Sequence, residues 1–239
     1  MRATDGATWP VTRREIIRNA LSIGIAVATY GVSFGALGTT SGLTIAQTCA
    51  LSILMFTGGS QFALVSTLAS GGTGLSGALA AILLGTRNTA YSMRMNPLIN
   101  AKGPLKLLAS HLTIDESTAM GLAQDEKSFD GRATKLAFWS TGLSVFVLWN
   151  LATLTGALAA TSIGDPKTLG LDAAIGAGLF ALVYPQIQSK RQLSIALGGA
   201  LVALSLASFV SPGIPTISAS IVAFIGGYLF TRRINKEQV

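Results

Sequence analysis

The chain has 239 residues, of which 50% are hydrophobic and only 11% are charged. Its mean hydropathy of +0.56 is too high for an ordinary soluble domain, so the composition indicates an integral membrane protein. The net charge of +7 does not indicate nucleic-acid binding, because the basic residues mostly flank apolar segments, where the positive-inside rule explains them.

Seven long apolar segments follow one another along the chain. Because a spanning helix needs about 20 apolar residues, we predict an all-α, polytopic membrane protein with about seven (six to eight) transmembrane helices, some of them broken. The segments lie at about 17–39, 44–69, 74–99, 134–160, 170–187, 191–210 and 214–231. A weaker stretch at about 105–123 carries His111, Asp115 and Glu116, and it could span the membrane, re-enter it or lie on its surface.

A charged linker separates two halves that resemble each other weakly. Residues 34–41 match residues 155–162, and residues 62–65 match residues 180–183. Such duplication is common in secondary transporters, whose substrate sites lie near the midplane between the repeats, although shared alanine, glycine and leucine content could also produce the match. We therefore predict a cytoplasmic amino-terminal segment (1–16), a first transmembrane half (17–126), a linker (127–133), a second transmembrane half (134–231) and a cytoplasmic tail (232–239).

Lysine and arginine place both termini in the cytoplasm, and two topologies satisfy this. In the first, 105–123 corresponds to 214–231 and crosses the membrane, which makes four helices in each half. In the second, 44–69 is a re-entrant hairpin broken at Gly58 and Gly59, and all of 94–135 is cytoplasmic.

Small residues at a spacing of four predict close contact between helix backbones. The clearest pairs are Gly31 with Gly35 and Ala152 with Gly156. We interpret them as packing surfaces.

The first candidate site is the polar interruption Gly58, Gly59, Ser60 and Gln61 inside an apolar segment. A break at membrane depth survives only where protein or water satisfies its backbone groups. The freed amide groups at the start of the following half-helix would attract an anion such as a carboxylate, and the two polar side chains would add hydrogen bonds. The alternative is a glycine-rich packing interface.

The second candidate site lies on the third segment, where polar residues recur at spacings of three and four. An arginine at membrane depth costs roughly 2.5 kcal/mol or more unless it is paired, and arginine suits bidentate binding of a carboxylate. Arg87 is expected within the membrane, whereas Arg94 is closer to the segment's end and could extend to the interface. The expected substrate-binding residues on this segment are Arg87, Asn88, Tyr91 and Arg94.

Acidic residues supply the third candidate site. Asp115 and Glu116 are adjacent, so on a helix they point about 100° apart and only one can face a given cavity directly. A carboxyl group buried there could bind and release a proton during transport, pair with Arg87 or meet a substrate ammonium group. The alternative is a solvated surface helix. Asp172 is a further candidate for proton coupling, and equally a residue that complements a helix start.

No enzyme motif is recognisable. The chain lacks a nucleotide-binding P-loop and a nucleophile elbow. The single cysteine, Cys49, and the single histidine, His111, cannot form an intrachain disulfide or a cysteine or histidine metal cluster. We expect neither enzyme activity, nor a cofactor, nor a metal.

Five stretches of the chain together form a recognisable pattern: Phe56-Thr57-Gly58-Gly59-Ser60-Gln61-Phe62, Arg87-Asn88 through Pro97, Thr113-Ile114-Asp115-Glu116-Ser117, Trp149-Asn150 through Gly156, and Leu169-Gly170-Leu171-Asp172. In this order they resemble the pattern of the AzlC family of bacterial branched-chain amino acid exporters. The order Arg87-Asn88 differs from the family pattern, in which asparagine shortly precedes the arginine.

The resemblance implies a permease of the bacterial inner membrane that exports branched-chain or other small aliphatic amino acids with the proton gradient as energy source. It also implies a small AzlD-like membrane subunit as partner, beside the amino-acid substrate and membrane lipid, and without nucleic acid. The alternatives are a channel and a non-transporting assembly subunit. Accumulation of substrate against its gradient would exclude the channel, and transport by this chain alone would exclude the assembly subunit.

Overall fold

The computed structural model describes residues 8–124, 128–162, 184, 187, 189–210 and 214–237, and regular structure in this part of the chain is entirely helical. This confirms the all-α prediction. The predicted segment 170–187, including Asp172, lies almost entirely outside the described residues. The helices are α1 (Trp9–Thr40), α2 (Ile45–Leu54), α3 (Gly59–Ala69), α4 (Gly74–Ile99), α5 (Pro104–His111), α6 (Asp115–Leu122), α7 (Arg132–Ser162), α8 (Lys190–Ala207) and α9 (Ile214–Glu237), with a 3-10 turn at Ser128–Gly131.

Two helical stretches of the described residues, Trp9–Thr40 and Phe129–Ser162, are long and apolar enough to cross a membrane. The first has 32 residues, and at 1.5 Å per residue it is about 48 Å long, against a hydrocarbon core of about 30 Å. Two such stretches fall short of the predicted seven. One reason is that α2 has 10 residues, which is about half of a spanning length.

The break predicted in 44–69 is present, and 105–123 contains a second break that was not predicted. The chain leaves the helical path between α2 and α3, and Gly58 has a φ of +55°, a left-handed conformation that glycine adopts without steric cost. The stretch 105–123 forms two helices of eight residues, α5 and α6, rather than one continuous helix. At the second interruption the Ser117 hydroxyl donates to the Leu112 carbonyl at 2.6 Å and accepts from the Ile114 amide at 3.1 Å.

The chain divides into two compact units. The first contains 8–39, 43–58 and the described residues of 85–162, so it holds α1, α2, the second half of α4, and α5 to α7. Phe34, Phe138 and Leu112 are fully buried there. The second contains 40–42, 59–84 and the described residues beyond 165. In it α8 packs against α9, with Gly226 next to Ile195.

Helices α1 and α7 pack in parallel through their small residues. Gly24 lies against Ser144, Gly31 against Ala152, and Gly35 against the Thr153 carbonyl. Gly156 lies in turn against the Val32 carbonyl. A Cβ atom at Gly35 or Gly156 would collide with the opposite backbone, so the predicted packing role of these glycines is confirmed.

Candidate functional site

An ion pair joins the second and third predicted sites. Nη1 of Arg87, on α4, lies 2.9 Å from Oδ2 of Asp115, the first residue of α6. The two side chains are 41% and 26% exposed, so the pair is neither fully buried nor freely solvated. The other carboxylate oxygen, Oδ1, is buried and has no hydrogen-bond partner among the described residues.

Two more polar side chains complete this group. Tyr91, one helical turn after Arg87, interacts electrostatically with the Asp115 carboxylate. Glu116 is half-buried and interacts electrostatically with Asp115 and Arg87. We call these four residues the Arg87 cluster. It contains one cation and two carboxylates, so a single guanidinium cannot neutralise both acids.

The interruption before α6 explains how the acids reach Arg87. The Ser117 hydroxyl holds Leu112 and Ile114 at the break, and Asp115 and Glu116 then form the first turn of α6. The exposed amide groups of a helix start favour carboxylates, which stabilises both acids there. Their location thus fits both the predicted proton-coupling role and the simpler role of complementing the helix dipole.

The other predicted residues are not part of the Arg87 cluster as described. Asn88 is half-buried and Arg94 is exposed, both on α4. Gly58 ends the first interruption, while Gly59, Ser60 and Gln61 form the first turn of α3 and belong to the second unit. Ser60 and Gln61 are 2% and 0% exposed. Asp172 lies outside the described residues.

An aromatic cluster that the sequence did not predict connects the two interruptions. The His111 ring lies 5.9 Å from the Phe56 ring and 5.6 Å from the Phe146 ring, measured between centroids. Phe56 and Phe146 meet edge to face at 5.1 Å. Phe56 lies in the first interruption and His111 ends α5, so ring packing fixes the two broken segments to each other through α7. No spacing along the chain signals this arrangement.

A cavity of about 250 Å³ lies between α4, α5 and α7, and it too was not predicted. Its α4 residues are on the side opposite Arg87, because Asn96 follows Arg87 by nine residues, which turns about 180° around the helix axis. The cavity is therefore separate from the Arg87 cluster. Its lining includes Thr89, Ser92, Met95, Asn96, Ile99, Lys106, Ala109, Ser110, Thr113 and Phe138.

A family model described as AzlC protein matches residues 22–163, which is more than half of the chain. The match includes both interruptions and the whole Arg87 cluster, while Asp172 lies beyond it. No curated protein and no solved structure matches the chain. The family is linked to branched-chain amino acid transport, and the two long apolar stretches agree with a membrane protein. The chain belongs to the AzlC family.

Proposed function

We propose that this protein is a secondary transporter that exports branched-chain or other small aliphatic amino acids, coupled to protons. The observation that carries the proposal is the Arg87–Asp115 ion pair at an interruption between two short helices. Arginine recognises carboxylates, and ionisable residues within membrane segments commonly mark substrate and proton pathways. The link of the AzlC family to branched-chain amino acid transport supports the substrate class.

The proposed mechanism is an exchange of partners at Arg87. Without substrate, the guanidinium is paired with Asp115. The substrate carboxylate displaces Asp115 from Arg87, and the freed Asp115 carboxylate, still ionised, binds the substrate ammonium group. After the substrate has left on the outer side, Asp115 takes up a proton there. The protonated carrier then turns to the cytoplasm, where the return of Asp115 to Arg87 releases the proton. Protons therefore enter as substrate leaves, which is the antiport that export with an inward proton gradient requires.

The partial exposure of the pair suits such an exchange. Ion pairs that are partly open to solvent contribute about 1 kcal/mol or less, so a substrate carboxylate can replace Asp115 at small cost. Glu116 is the alternative proton carrier, since it interacts with the same guanidinium. Tyr91 lies beside Asp115, and Asn88 and Arg94 remain proposed contacts of the substrate. Gly58 to Gln61 remain a proposed carboxylate site of their own.

The remaining expectations complete the proposal. The protein would reside in the bacterial inner membrane with both termini in the cytoplasm, and it would work with a small AzlD-like membrane subunit rather than as an enzyme. Gly35 and Gly156 occupy equivalent positions in the sequence repeat, and each packs against the helix that carries the other. This agreement supports two related halves.

Counterflow in liposomes tests the function. Labelled valine, methionine and alanine are offered to proteoliposomes loaded with the same unlabelled amino acid, with and without the small subunit. We expect uptake of valine by wild type and a strong loss in Arg87→Gln. Absence of counterflow for all three amino acids, with the small subunit present, would reject the proposal.

A further inference from the structure

The cavity between α4, α5 and α7 offers three kinds of contact. Among the described residues that line it, Lys106 is the only charged one. Lys106, Ala109, Ser110 and Thr113 recur at spacings of three and four, so α5 and the residues after it present one face to the cavity. A solute inside would meet a cation at this face.

Two hydroxyl groups on this face have lone pairs that can accept a hydrogen bond. Ser110 Oγ donates to the Lys106 carbonyl at 3.0 Å, and Thr113 Oγ1 donates to the Ala109 carbonyl at 2.7 Å. Since a hydroxyl has a single proton, these bonds leave its oxygen lone pairs for a donor in the cavity. The Asn96 side chain adds an amide carbonyl. The cavity can therefore accept hydrogen bonds from an ammonium group.

The buried residues of the lining are mostly apolar. Met95, Ile99 and Phe138 line the cavity and are 1%, 6% and 0% exposed. Burial of aliphatic groups against such side chains is favourable at about 25 cal/mol per Å². The volume of about 250 Å³ is below the range of drug-sized pockets, so the occupant must be small.

We propose that this cavity is a second binding site, separate from the Arg87 cluster, for a small zwitterionic amino acid with an aliphatic side chain. Lys106 binds the carboxylate, Ser110, Thr113 and Asn96 accept from the ammonium group, and the aliphatic tail lies against Met95, Ile99 and Phe138. This deepens the proposed function and rests on it for the physiological role, although the site is argued from the cavity's own chemistry.

Three ligands that differ by one group each test the contacts: valine, isovalerate, which lacks the ammonium group, and isobutylamine, which lacks the carboxylate. Calorimetry on purified full-length protein in the Arg87→Gln background prevents the Arg87 cluster from supplying the signal. In that background Lys106→Gln should weaken valine and isovalerate binding about tenfold or more and leave isobutylamine unchanged. Lys102→Gln, an exposed neighbour outside the cavity, is the matched control and should change nothing.

Ser110→Ala tests the ammonium contact at an exposed position where folding should be preserved. Valine and isobutylamine should weaken, while isovalerate should not. The proposal would be overturned if Lys106→Gln left the affinities of all three ligands equal to those of the Arg87→Gln protein. It would also be overturned if the Arg87→Gln protein did not bind valine. Lys106-dependent binding of short-chain phosphatidylglycerol, without binding of valine, would likewise overturn the proposal, because the cavity would then hold a lipid headgroup.

The two proposals fail separately. Valine counterflow by wild type with no Lys106-dependent binding rejects only the second site. Lys106-dependent binding without any counterflow rejects the transport proposal and leaves the site.

Discussion

Asp115→Asn is the substitution that best tests the exchange of partners at Arg87. It keeps the size of the side chain and removes its charge, so the guanidinium 2.9 Å away loses its counter-ion. At an effective dielectric constant of about 20, Coulomb's law gives about 6 kcal/mol of attraction at this distance. Solvent access to both side chains screens most of it, so the net coupling is about 1 kcal/mol.

That magnitude predicts little change in binding and a loss of coupling. The variant loses both the competitor for Arg87 and the carboxylate that pairs with the substrate ammonium group, each worth about 1 kcal/mol or less, so substrate affinity should change by less than about fivefold. Accumulation driven by a pH gradient should be lost, since no carboxyl group remains there to take the proton. Exchange of labelled against unlabelled valine should persist, because the loaded carrier can reorient without a net proton cycle.

Proteoliposomes allow the two activities to be measured on one preparation. Gradient-driven uptake and counterflow are compared for wild type, Asp115→Asn and the matched variant Glu116→Gln. The adjacent position points about 100° away, so we expect only one of the two variants to separate the activities. If both variants keep gradient-driven transport at its original rate and pH dependence, the acids only stabilise the start of α6 and the reasoning is refuted.

Three further predictions concern binding, packing and topology. Arg87→Lys keeps the charge but loses the planar fork, so the KM for valine should rise at least tenfold with normal membrane insertion; an unchanged KM in Arg87→Ala would point to Arg94 instead. Gly35→Ala should destabilise the protein by about 1–3 kcal/mol, because the new methyl group meets the Thr153 carbonyl, and its melting temperature in detergent should fall. Gly227 has open space around it, so Gly227→Ala is the control and should leave the melting temperature unchanged. Reporter fusions at residue 12 and residue 236 should both report the cytoplasm, and opposite results would exclude an even number of crossings.

Local features of the sequence predicted the helices well. The segment 74–99 coincides with α4, and 134–160 lies within α7, because hydrophobic length and flanking polar residues are read along one stretch of chain. The interruption near Gly58 was predicted for the same reason, since a glycine pair inside an apolar run is a local signal. The break in 105–123 was not predicted, because no glycine or proline stands at residues 112–114 to signal it, and the hydrogen bonds of the Ser117 hydroxyl form only once the chain has turned there.

The sequence by itself determined the all-helical class, the family motifs and the residue types suited to carboxylates and protons, because hydrophobicity, charge and glycine content are properties of short stretches. Only the tertiary structure decided which of these residues meet. It pairs Arg87 with Asp115, packs His111 between Phe56 and Phe146, and forms the Lys106 cavity on the opposite side of α4. Each of these contacts joins separate segments of the chain, and such contacts depend on how the segments pack together rather than on the spacing of residues within any one of them.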